Sequence, residues 1–331
     1  MKPRTSVIIP VYNASSTLRR CLEAIFRLDH SSYEVIVVDD GSTDASLEIA
    51  REFPVRVIRV GRNSGPAFAR NEGAKAAEGS ILAFTDADCE VPEDWLQKAE
   101  RALSGDVAAV TGPYSRSTRA STLALFQHYE TAYFQRHSPP FIASCTAGNL
   151  VCRRGPFLQV QGFPQVRVNE DMEFASRLAR THRIRWLKEN GVAHNYRSSL
   201  TEYGKQQVAW AIATAGSYLS NLRMLGEQGS ISKAEVALHL TLFGVLVLAL
   251  AVSAVGQQSA VLPVGVLALI LVLNFRFLAY LEREQGLALA ICGFFLVFYR
   301  YAAWALGCGV ALLVASSRLL WGIAPGNSGA F

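Results

Sequence analysis

The first 86 residues alternate short β-branched runs with segments of helical periodicity, and this alternation limits the fold more than any other feature. The runs are SVIIPV (6–11), EVIVVD (34–39), VRVIRV (55–60) and ILAFTD (81–86). Between them, residues 14–28 carry their apolar side chains on one stripe, and Thr43-Asp44 precedes a second helix that ends near Ala50. The pattern predicts an α/β fold, with a mostly parallel sheet flanked by helices.

In parallel sheets of this kind, ligands bind at the carboxyl ends of the strands, and the unusual polar residues of this sequence lie there. These ends read Pro10-Val11-Tyr12-Asn13, Asp39-Asp40-Gly41-Ser42 and Asp86-Ala87-Asp88. Carboxylates gathered at one edge repel each other unless a proton or a cation lies between them. We therefore expect a divalent cation there, Mg²⁺ or Mn²⁺, that completes its shell with diphosphate oxygens and water.

Asp86 and Asp88 are the first candidates for binding that cation. One residue separates them, so in an extended chain both side chains point the same way and reach a shared ion. The alternative is that DAD only caps a helix that begins near Pro92. The sequence has neither a GxxxxGK[ST] loop nor GxGxxG, which argues against Walker-type and Rossmann-type phosphate binding.

Three ordered segments, SVIIPVYNASSTLRRCLEAI, EVIVVDDGSTDAS and GPAFARNEGAKAAEGSILAFTDADC, resemble the start of an inverting family 2 glycosyltransferase of the GT-A fold. The resemblance covers about residues 4–215. It implies a UDP-, GDP- or dTDP-sugar as donor, a divalent metal, and transfer with inversion at the anomeric carbon. The positive charge of the chain is small, +5 in total, and does not imply nucleic acid.

The resemblance also implies roles for single residues at the strand ends. The base and ribose pocket of the donor would be lined by Pro10, Val11 and Tyr12. Asp40 would bond the base and Arg70 would contact the nucleotide or diphosphate, although a turn residue and a solvated helix residue are the alternatives. Asp86 would lie near the ribose and metal, whereas Asp88 would bind the metal directly.

An inverting transfer needs a base that faces the sugar from the side opposite the departing diphosphate. The segment VNEDMEFASRLARTHRIRWL (168–187) begins with Glu170-Asp171, continues as a predicted amphipathic helix and matches the ED motif of the family. We predict Asp171 as the catalytic base, with Glu170 as its neighbour. The alternative is a pair of acids that the helix dipole favours at a helix N-terminus.

Residues 145–164 resemble the strand and loop that approach donor sugar and acceptor, so Gly148 and Asn149 are predicted near the acceptor. A strand kink is the alternative for this Gly-Asn pair. His194 follows the predicted base, and in some related transferases such a histidine completes the metal shell, which would suit Mn²⁺. A core or surface histidine is the alternative.

Trp210 closes the sequence QQVAW, where processive synthases have QxxRW. Ala209 stands in place of the arginine, which argues against a processive polymerase. We predict that Trp210 either stacks on an acceptor sugar or anchors at the membrane interface.

Charged residues nearly disappear from the last third of the chain. From Val236 onward they are Arg276, Glu282, Arg283, Glu284, Arg300 and Arg318. Segments 236–256 and 261–281 each approach the roughly 20 apolar residues that cross a bilayer. We interpret residues 286–315 as one long tilted helix, with a re-entrant hairpin as the alternative.

Four regions are therefore predicted: a cytosolic catalytic domain at 1–200, amphipathic interfacial helices at 201–233, about three transmembrane helices at 234–318, and a tail at 319–331. The N-terminus lacks the features of a signal peptide, so the head is expected in the cytosol and the chain in the cytoplasmic membrane as a multi-pass protein. The six cysteines have no CxxC spacing and are expected to be thiols.

The predicted function is metal-dependent transfer of a sugar to a lipid-linked or glycan acceptor at the membrane, in envelope or exopolysaccharide biosynthesis. One alternative is a processive polysaccharide synthase. The other is a nucleotide-sugar-sensing scaffold or transporter component, which Arg276 and Arg300 within the apolar segments favour. The oligomeric state stays open, and a homo-oligomer is compatible with the sequence.

Overall fold

The chain divides into two compact units. The computed structural model describes residues 4–118, 121–166, 169–220 and 261–320. The first unit comprises Met1–Arg119 and Phe134–Tyr196, and the second comprises Ala120–Tyr133 and Arg197–Phe331. Residues 120–133 lie inside the predicted catalytic domain of 1–200 but group with the C-terminal part of the chain.

The first unit is built on two β-sheets. Its strands are β1 (Thr5–Val11), β2 (Tyr33–Asp39), β3 (Arg56–Arg59), β4 (Ile81–Phe84), β5 (Cys89–Glu90), β6 (Val107–Thr111), β7 (Tyr114–Ser117), β8 (Phe141–Ile142), β9 (Leu150–Arg153), β10 (Arg183–Trp186) and β11 (Val192–His194). The larger sheet has the order β3-β2-β1-β4-β9-β6-β10-β8, and the smaller has the order β5-β11-β7. In the larger sheet β9 and β8 are antiparallel to their neighbours and the other pairings are parallel. The predicted α/β fold with a mostly parallel sheet is confirmed.

Ten helices occur in the part of the chain that is described. They are α1 (Leu18–Ile25), α2 (Ser46–Arg51), α3 (Pro66–Ala76), α4 (Trp95–Ala102), α5 (Thr122–Gln135), α6 (Arg154–Gln159), α7 (Glu170–Ala179), α8 (Leu200–Ser220), α9 (Val261–Gln285) and α10 (Leu287–Leu320). The amphipathic helix predicted after Glu170-Asp171 is α7, which ends at Ala179, and Arg183–Trp186, in the last part of the segment 168–187, forms β10. In this short stretch Ile184 is buried between two exposed or half-buried arginines, which is strand periodicity.

Alternation along the strands of the first unit divides its core into two layers. Val7 and Ile9 of β1 pack on one face of the larger sheet together with α1 and α4. Ile8 of β1 packs on the other face, with residues of α3 and α7. Because successive side chains of a strand point to opposite faces, an almost fully buried strand such as β1 must be apolar at nearly every position.

The order of the central strands brings the three polar strand ends together. Strand β1 pairs with β2 on one side, where Val11 lies opposite Asp39, and with β4 on the other, where Ile8 lies opposite Phe84. The backbone N–H of Asp40 donates to the carbonyl of Val11 at 2.8 Å, which continues the pairing past the last strand residue. Residues that follow β1, β2 and β4 therefore share one edge of the sheet.

The second unit contains the helices α8, α9 and α10 and most of α5. Helices α8 and α10 meet through small side chains: a Cβ atom added to Gly307 would come within 2.6 Å of Ala211. Ala215, Cys308 and Ala311 complete this contact. Spacings of four residues between small side chains on both helices are typical of close helix packing in membranes.

One helix in the described residues, Leu287–Ser316, is long and apolar enough to cross a membrane. It lies within α10, which is one continuous helix over the segment where a hairpin was the alternative. The predicted span 261–281 forms part of α9, and the predicted span 236–256 lies outside the described residues. The interfacial helices predicted at 201–233 are described only up to Ser220, as α8.

Candidate active site

The predicted donor pocket begins at the end of β1. Pro10 and Val11 lie in the strand, and Val11 is buried in the core, whereas the ring of Tyr12 is exposed directly after it. Asn13 has a positive φ of 49°, and its Oδ1 atom accepts a hydrogen bond of 2.8 Å from the N–H of Thr43. This contact ties the end of β1 to the loop that follows β2, so the two strand ends form one surface.

Asp40 is buried at the end of β2, where its carboxylate accepts two backbone hydrogen bonds. The N–H of Ser64 donates to Oδ1 at 2.9 Å, and the N–H of Gly65 donates to Oδ2 at 2.7 Å. Gly65 has a φ of 94° and directly precedes α3. Asp40 therefore fixes the start of α3 against the sheet, and its predicted contact with a nucleobase stays a prediction.

The chain turns between Asp86 and Asp88, contrary to the extended conformation expected from the sequence. Strand β4 ends at Phe84, and the N–H of Cys89 donates to the carbonyl of Asp86 at 3.0 Å. The turn sends the two carboxylates to different partners. Asp86 meets Arg70 of α3, and Asp88 faces His194 of β11.

Arg70 lies buried between two carboxylates that come from distant parts of the chain. Its Nη2 atom is 2.7 Å from Oδ1 of Asp86, and its Nη1 atom is 2.7 Å from Oε1 of Glu170. The guanidinium also lies over the ring of Phe163, 5.5 Å from the ring centroid. The structure thus brings Arg70 into the predicted site, but with protein carboxylates as its partners.

Asp88 and His194 form the candidate metal site. Strand β11 pairs with β5, with His194 opposite Cys89, which places Nε2 of His194 3.7 Å from Oδ2 of Asp88. Both side chains are partly open to solvent, so an ion held here keeps room for further ligands. One carboxylate and one imidazole are donors that suit Mn²⁺.

Cys89 offers a third donor atom within 4.8 Å of the other two. Burial raises the pKa of its thiol well above the usual value, so the sulfur stays protonated at neutral pH. A protonated thiol is a poor ligand, and soft sulfur does not suit Mg²⁺ or Mn²⁺. The residues present fit a hard divalent ion on Asp88 and His194.

Tyr114 is a part of this site that was not predicted from the sequence. Its ring stacks on the imidazole of His194, with 4.3 Å between the centroids and 26° between the ring planes. A Cβ atom added to Gly148 would come within 2.6 Å of its Oη atom. Tyr114 begins β7, which pairs with β11, and no local spacing marks it because this pairing joins distant segments.

The turn Ala147–Asn149 lies between the two groups of acidic residues. The backbone N–H of Ala147 faces Oδ2 of Asp171 at 3.4 Å. A Cβ atom added to Gly148 would come within 2.8 Å of Oδ2 of Asp86. The turn therefore lies between the predicted base and Asp86, and a side chain at position 148 fits only if the Asp86 carboxylate and the Tyr114 hydroxyl move.

Asp171 lies in the first turn of α7, next to Glu170. Its Oδ1 atom accepts a hydrogen bond of 2.8 Å from the N–H of Met172. Burial, followed by the charge of Glu170, raises the pKa of Asp171 to about 6, against the opposing effect of Arg70. A carboxyl group with a pKa close to neutral pH is suited to accept a proton and release it again.

Asn149 and Trp210, both predicted at the acceptor, lie in different surroundings. The side chain of Asn149 is buried, accepts a hydrogen bond of 2.9 Å from Nε1 of Trp95 and donates one of 2.8 Å to the carbonyl of Asn190. These two hydrogen bonds hold the side chain of Asn149 inside the protein, beneath the turn Ala147–Asn149. A direct contact between Asn149 and the acceptor stays a prediction. Trp210 is on α8 in the second unit, where its ring is exposed.

Comparisons with known proteins show which proteins the chain is similar to. A model of glycosyl transferase family 2 matches residues 6–159. Glycosyltransferase AglE of Haloferax volcanii is 38% identical over 117 residues, which are 33% of this chain and 38% of AglE. An uncharacterized glycosyltransferase of Escherichia coli, YibD, is 42% identical over 93 residues, which are 27% of each protein. The chain spans 20–40% of the length of the curated relatives that it matches.

The mannosyltransferase PcManGT of Pyrobaculum calidifontis, solved in complex with GDP-Man and Mn²⁺, has a similar structure. The TM-score is 0.57 at 20% sequence identity, over 98% of this chain and 89% of that one. At this identity the likeness shows the fold, which is the GT-A fold.

Proposed function

Since the chain belongs to glycosyltransferase family 2, we propose that it moves a sugar from a nucleotide-sugar donor to an acceptor hydroxyl, with inversion and with a divalent metal. One observation carries this proposal: the turn Ala147–Asn149 contacts Asp171 on one side and Asp86 on the other. A displacement with inversion needs a base on one side of the sugar and charge compensation for the leaving group on the other.

Asp171 is the proposed base. The acceptor hydroxyl gives its proton to the Asp171 carboxylate as its oxygen attacks the anomeric carbon. The bond from that carbon to the diphosphate oxygen breaks, and the nucleoside diphosphate leaves with the electron pair. Two backbone N–H groups, of Ala147 and Met172, hold this carboxylate in place and leave its charge only partly compensated. Burial keeps its basicity high enough to take the proton, because the charged form is poorly solvated there.

Asp88 and His194 are the proposed metal ligands, and Mn²⁺ fits this donor pair better than Mg²⁺. A bound divalent ion would neutralise charge that develops on the diphosphate leaving group, an effect worth several kcal/mol. Tyr114 keeps the imidazole of His194 in one plane by stacking on it. Asp86 stays a proposed neighbour of the ribose and metal.

The donor side of the site is proposed at the ends of β1 and β2. Tyr12 offers an exposed ring for stacking on a base, directly after Pro10 and the buried Val11 of β1. PcManGT was solved with GDP-Man, but this likeness does not choose between UDP-, GDP- and dTDP-sugars for this chain.

We place the acceptor at a membrane surface, as a lipid-linked sugar or a growing glycan of the cell envelope. The support is in the second unit. Besides the apolar helix Leu287–Ser316, it leaves large apolar side chains on α9 and α10 open to the surroundings. The most exposed are Val272, Phe275, Leu287, Phe295, Leu306 and Leu313. A multi-pass arrangement with a cytosolic head stays a prediction.

The other candidate functions have less support. The transporter or scaffold hypothesis drew on Arg276 and Arg300. The guanidinium of Arg300 is paired with Glu130 inside the second unit and so does not face an open pathway. For the processive synthase, product length decides: a ladder of products from one donor would support it, and a single added residue would support single transfer.

The test uses the full-length protein in detergent or nanodiscs with Mn²⁺. UDP-, GDP- and dTDP-sugars are offered one at a time, and nucleotide release is measured with and without native lipids. We expect release from one class of donor, stimulated by lipid and lost in Asp171→Asn. Lys75→Met, an exposed position on α3, is the matched control and should keep the wild-type rate. Release that is equal in Asp171→Asn and wild type would contradict the proposal.

A further inference from the structure

Arg70 has partners that differ from those implied by the family resemblance. That resemblance places the arginine on the nucleotide or diphosphate of the donor. In the structure, both terminal nitrogens of the guanidinium bind protein carboxylates, each at 2.7 Å, and the side chain is only 5% exposed. An anion from a donor would have to displace Asp86 or Glu170 to reach it.

The three residues come from three separate elements that build the site. Arg70 is on α3, Asp86 follows β4, and Glu170 is the first residue of α7, 100 positions after Arg70. Glu170 precedes the proposed base directly. One guanidinium therefore links Asp86, next to the proposed metal site, to Glu170, next to the proposed base. A planar guanidinium with several N–H donors can bind two carboxylates at once.

We infer that Arg70 is a positioning residue, which holds Glu170 and with it Asp171 at a fixed place relative to Asp86, and that it does not bind the donor phosphates. This inference rests on the proposed function and deepens it. Without the Arg70 guanidinium, Glu170 at the N-terminus of α7 is no longer linked to Asp86 after β4. The base then loses its alignment with the attacking oxygen, and misplacement of about 1 Å costs on the order of 10²-fold in rate.

The charge of Arg70 has a second effect, on the protonation of the base. The charged and thiol groups that face Asp171 are Glu170, Arg70 and Cys145. Arg70 lowers the pKa of Asp171, whereas burial and Glu170 raise it. A variant without the cation is expected to need a higher pH for activity, while a variant that keeps the cation is not.

Two variants separate position from charge. Arg70→Lys keeps the positive charge but cannot span both carboxylates, and Arg70→Met removes both functions. We expect kcat to fall on the order of 10²-fold in both, with the acid limb of the pH–rate profile shifted upward only in Arg70→Met. The Kd of UDP or GDP with Mn²⁺, measured by calorimetry, should equal that of wild type in both. Lys75→Met removes an exposed cation from the same helix and should change none of these values.

A phosphate-binding role for Arg70 predicts the opposite pattern. A lysine also binds phosphate, so Arg70→Lys would keep most of the activity, and Arg70→Met would raise the nucleotide Kd and the KM for donor. Either result overturns the inference. If Arg70→Met does not fold, Arg70→Lys decides alone.

The nucleotide Kd also distinguishes a failure of the inference on Arg70 from a failure of the proposed function. If wild type transfers no sugar from any donor, the proposed function fails, whereas the Kd of the Arg70 variants still tests the inference. An unchanged Kd then shows that Arg70 does not bind the donor phosphates, and a weakened one overturns the inference.

Discussion

Gly148 lies against Asp86 so closely that a methyl group at position 148 would come within 2.8 Å of Oδ2 of the carboxylate. We expect Gly148→Ala to push this carboxylate away and to widen the space between the base side and the metal side of the site. Transfer should fall on the order of 10²-fold, since displacements of about 1 Å have that effect in active sites. Steady-state rates with a fixed donor measure it.

Gly155→Ala is the matched control, because a Cβ atom at position 155 meets nothing within 4 Å. Gly155 lies at the start of α6 and directly precedes Pro156, so the gain in stability that alanine brings inside a helix is not expected there. This variant should keep full activity. Equal activity of Gly148→Ala and Gly155→Ala would show that the spacing at the turn does not matter.

Substitution of the proposed metal ligands should weaken metal binding and leave the fold intact. Asp88→Asn and His194→Gln each remove one donor of the pair, and we expect each to weaken Mn²⁺ binding by at least about 10-fold, the lower end of what even indirect changes cost. Activity titrated with Mn²⁺ after chelator treatment measures this. The control is Asp94→Asn, since Asp94 lies in the loop after the DAD sequence and pairs with Lys98 at the surface.

The Mn²⁺ requirement of Asp94→Asn distinguishes loss of a metal ligand from a general loss of negative charge. If Asp94→Asn raises the Mn²⁺ requirement as much as Asp88→Asn, the effect is due to general loss of negative charge and not to coordination. Activity of the wild-type protein that survives complete chelation would contradict the metal site itself.

Local pattern predicted the strands well because burial on both faces makes them short, continuous apolar runs bounded by turn residues. Residues 6–11 read as a strand and form β1, whose successive side chains fill two core layers. The polar residues after these strands also mark their ends, so the positions of Asp40 and Asp86 at the sheet edge could be predicted without a structure. Their roles toward a donor stay predictions.

The pairings that bring distant segments together could not be derived from the residues alone. The family resemblance suggested His194 for the metal shell, but the pairing of β11 with β5 that brings it to Asp88 joins strands of three and two residues with no clear periodicity. Arg70 and Glu170 are 100 positions apart, and nothing in either segment specifies the other. The grouping of residues 120–133 with the C-terminal helices depends on packing in the same way.

The pH dependence of transfer should report the ionisation of Asp171. Its pKa is raised to about 6, and the base acts only when ionised. Because a carboxyl group gains its proton as the pH falls, kcat/KM should be constant above neutral pH and decrease about tenfold per pH unit well below pH 6. Rates measured from pH 5 to 8 with a fixed Mn²⁺ concentration test this.

Glu170→Gln provides the internal check on that profile. Its charge is the second cause of the raised pKa of Asp171, after burial, so its removal should move the acid limb to lower pH. The amide still offers an oxygen to Arg70, which limits the loss of position. An acid limb that does not move, or that moves upward, would mean that another group sets the profile.

Glu130 and Arg300 form an ion pair in the interior of the second unit, where each side chain is less than 15% exposed. Arg300 lies within the apolar helix Leu287–Ser316, and Glu130 lies on α5, in the segment that groups with the C-terminal helices. Breaking a buried pair from one side leaves an uncompensated charge, which costs about 3–5 kcal/mol. We expect Arg300→Met and Glu130→Met each to lower stability by about that amount.

The double variant, with methionine at both positions, should recover most of the lost stability, because apolar residues often replace a buried pair at little cost. Unfolding in detergent, followed by circular dichroism, gives the three values. Arg283→Met is the control, since Arg283 is exposed and pairs with Glu284 at the surface, and it should be close to wild type. If the double variant is as unstable as the sum of the single ones, the pair does not act as a unit, and α5 is held to α10 by apolar packing alone.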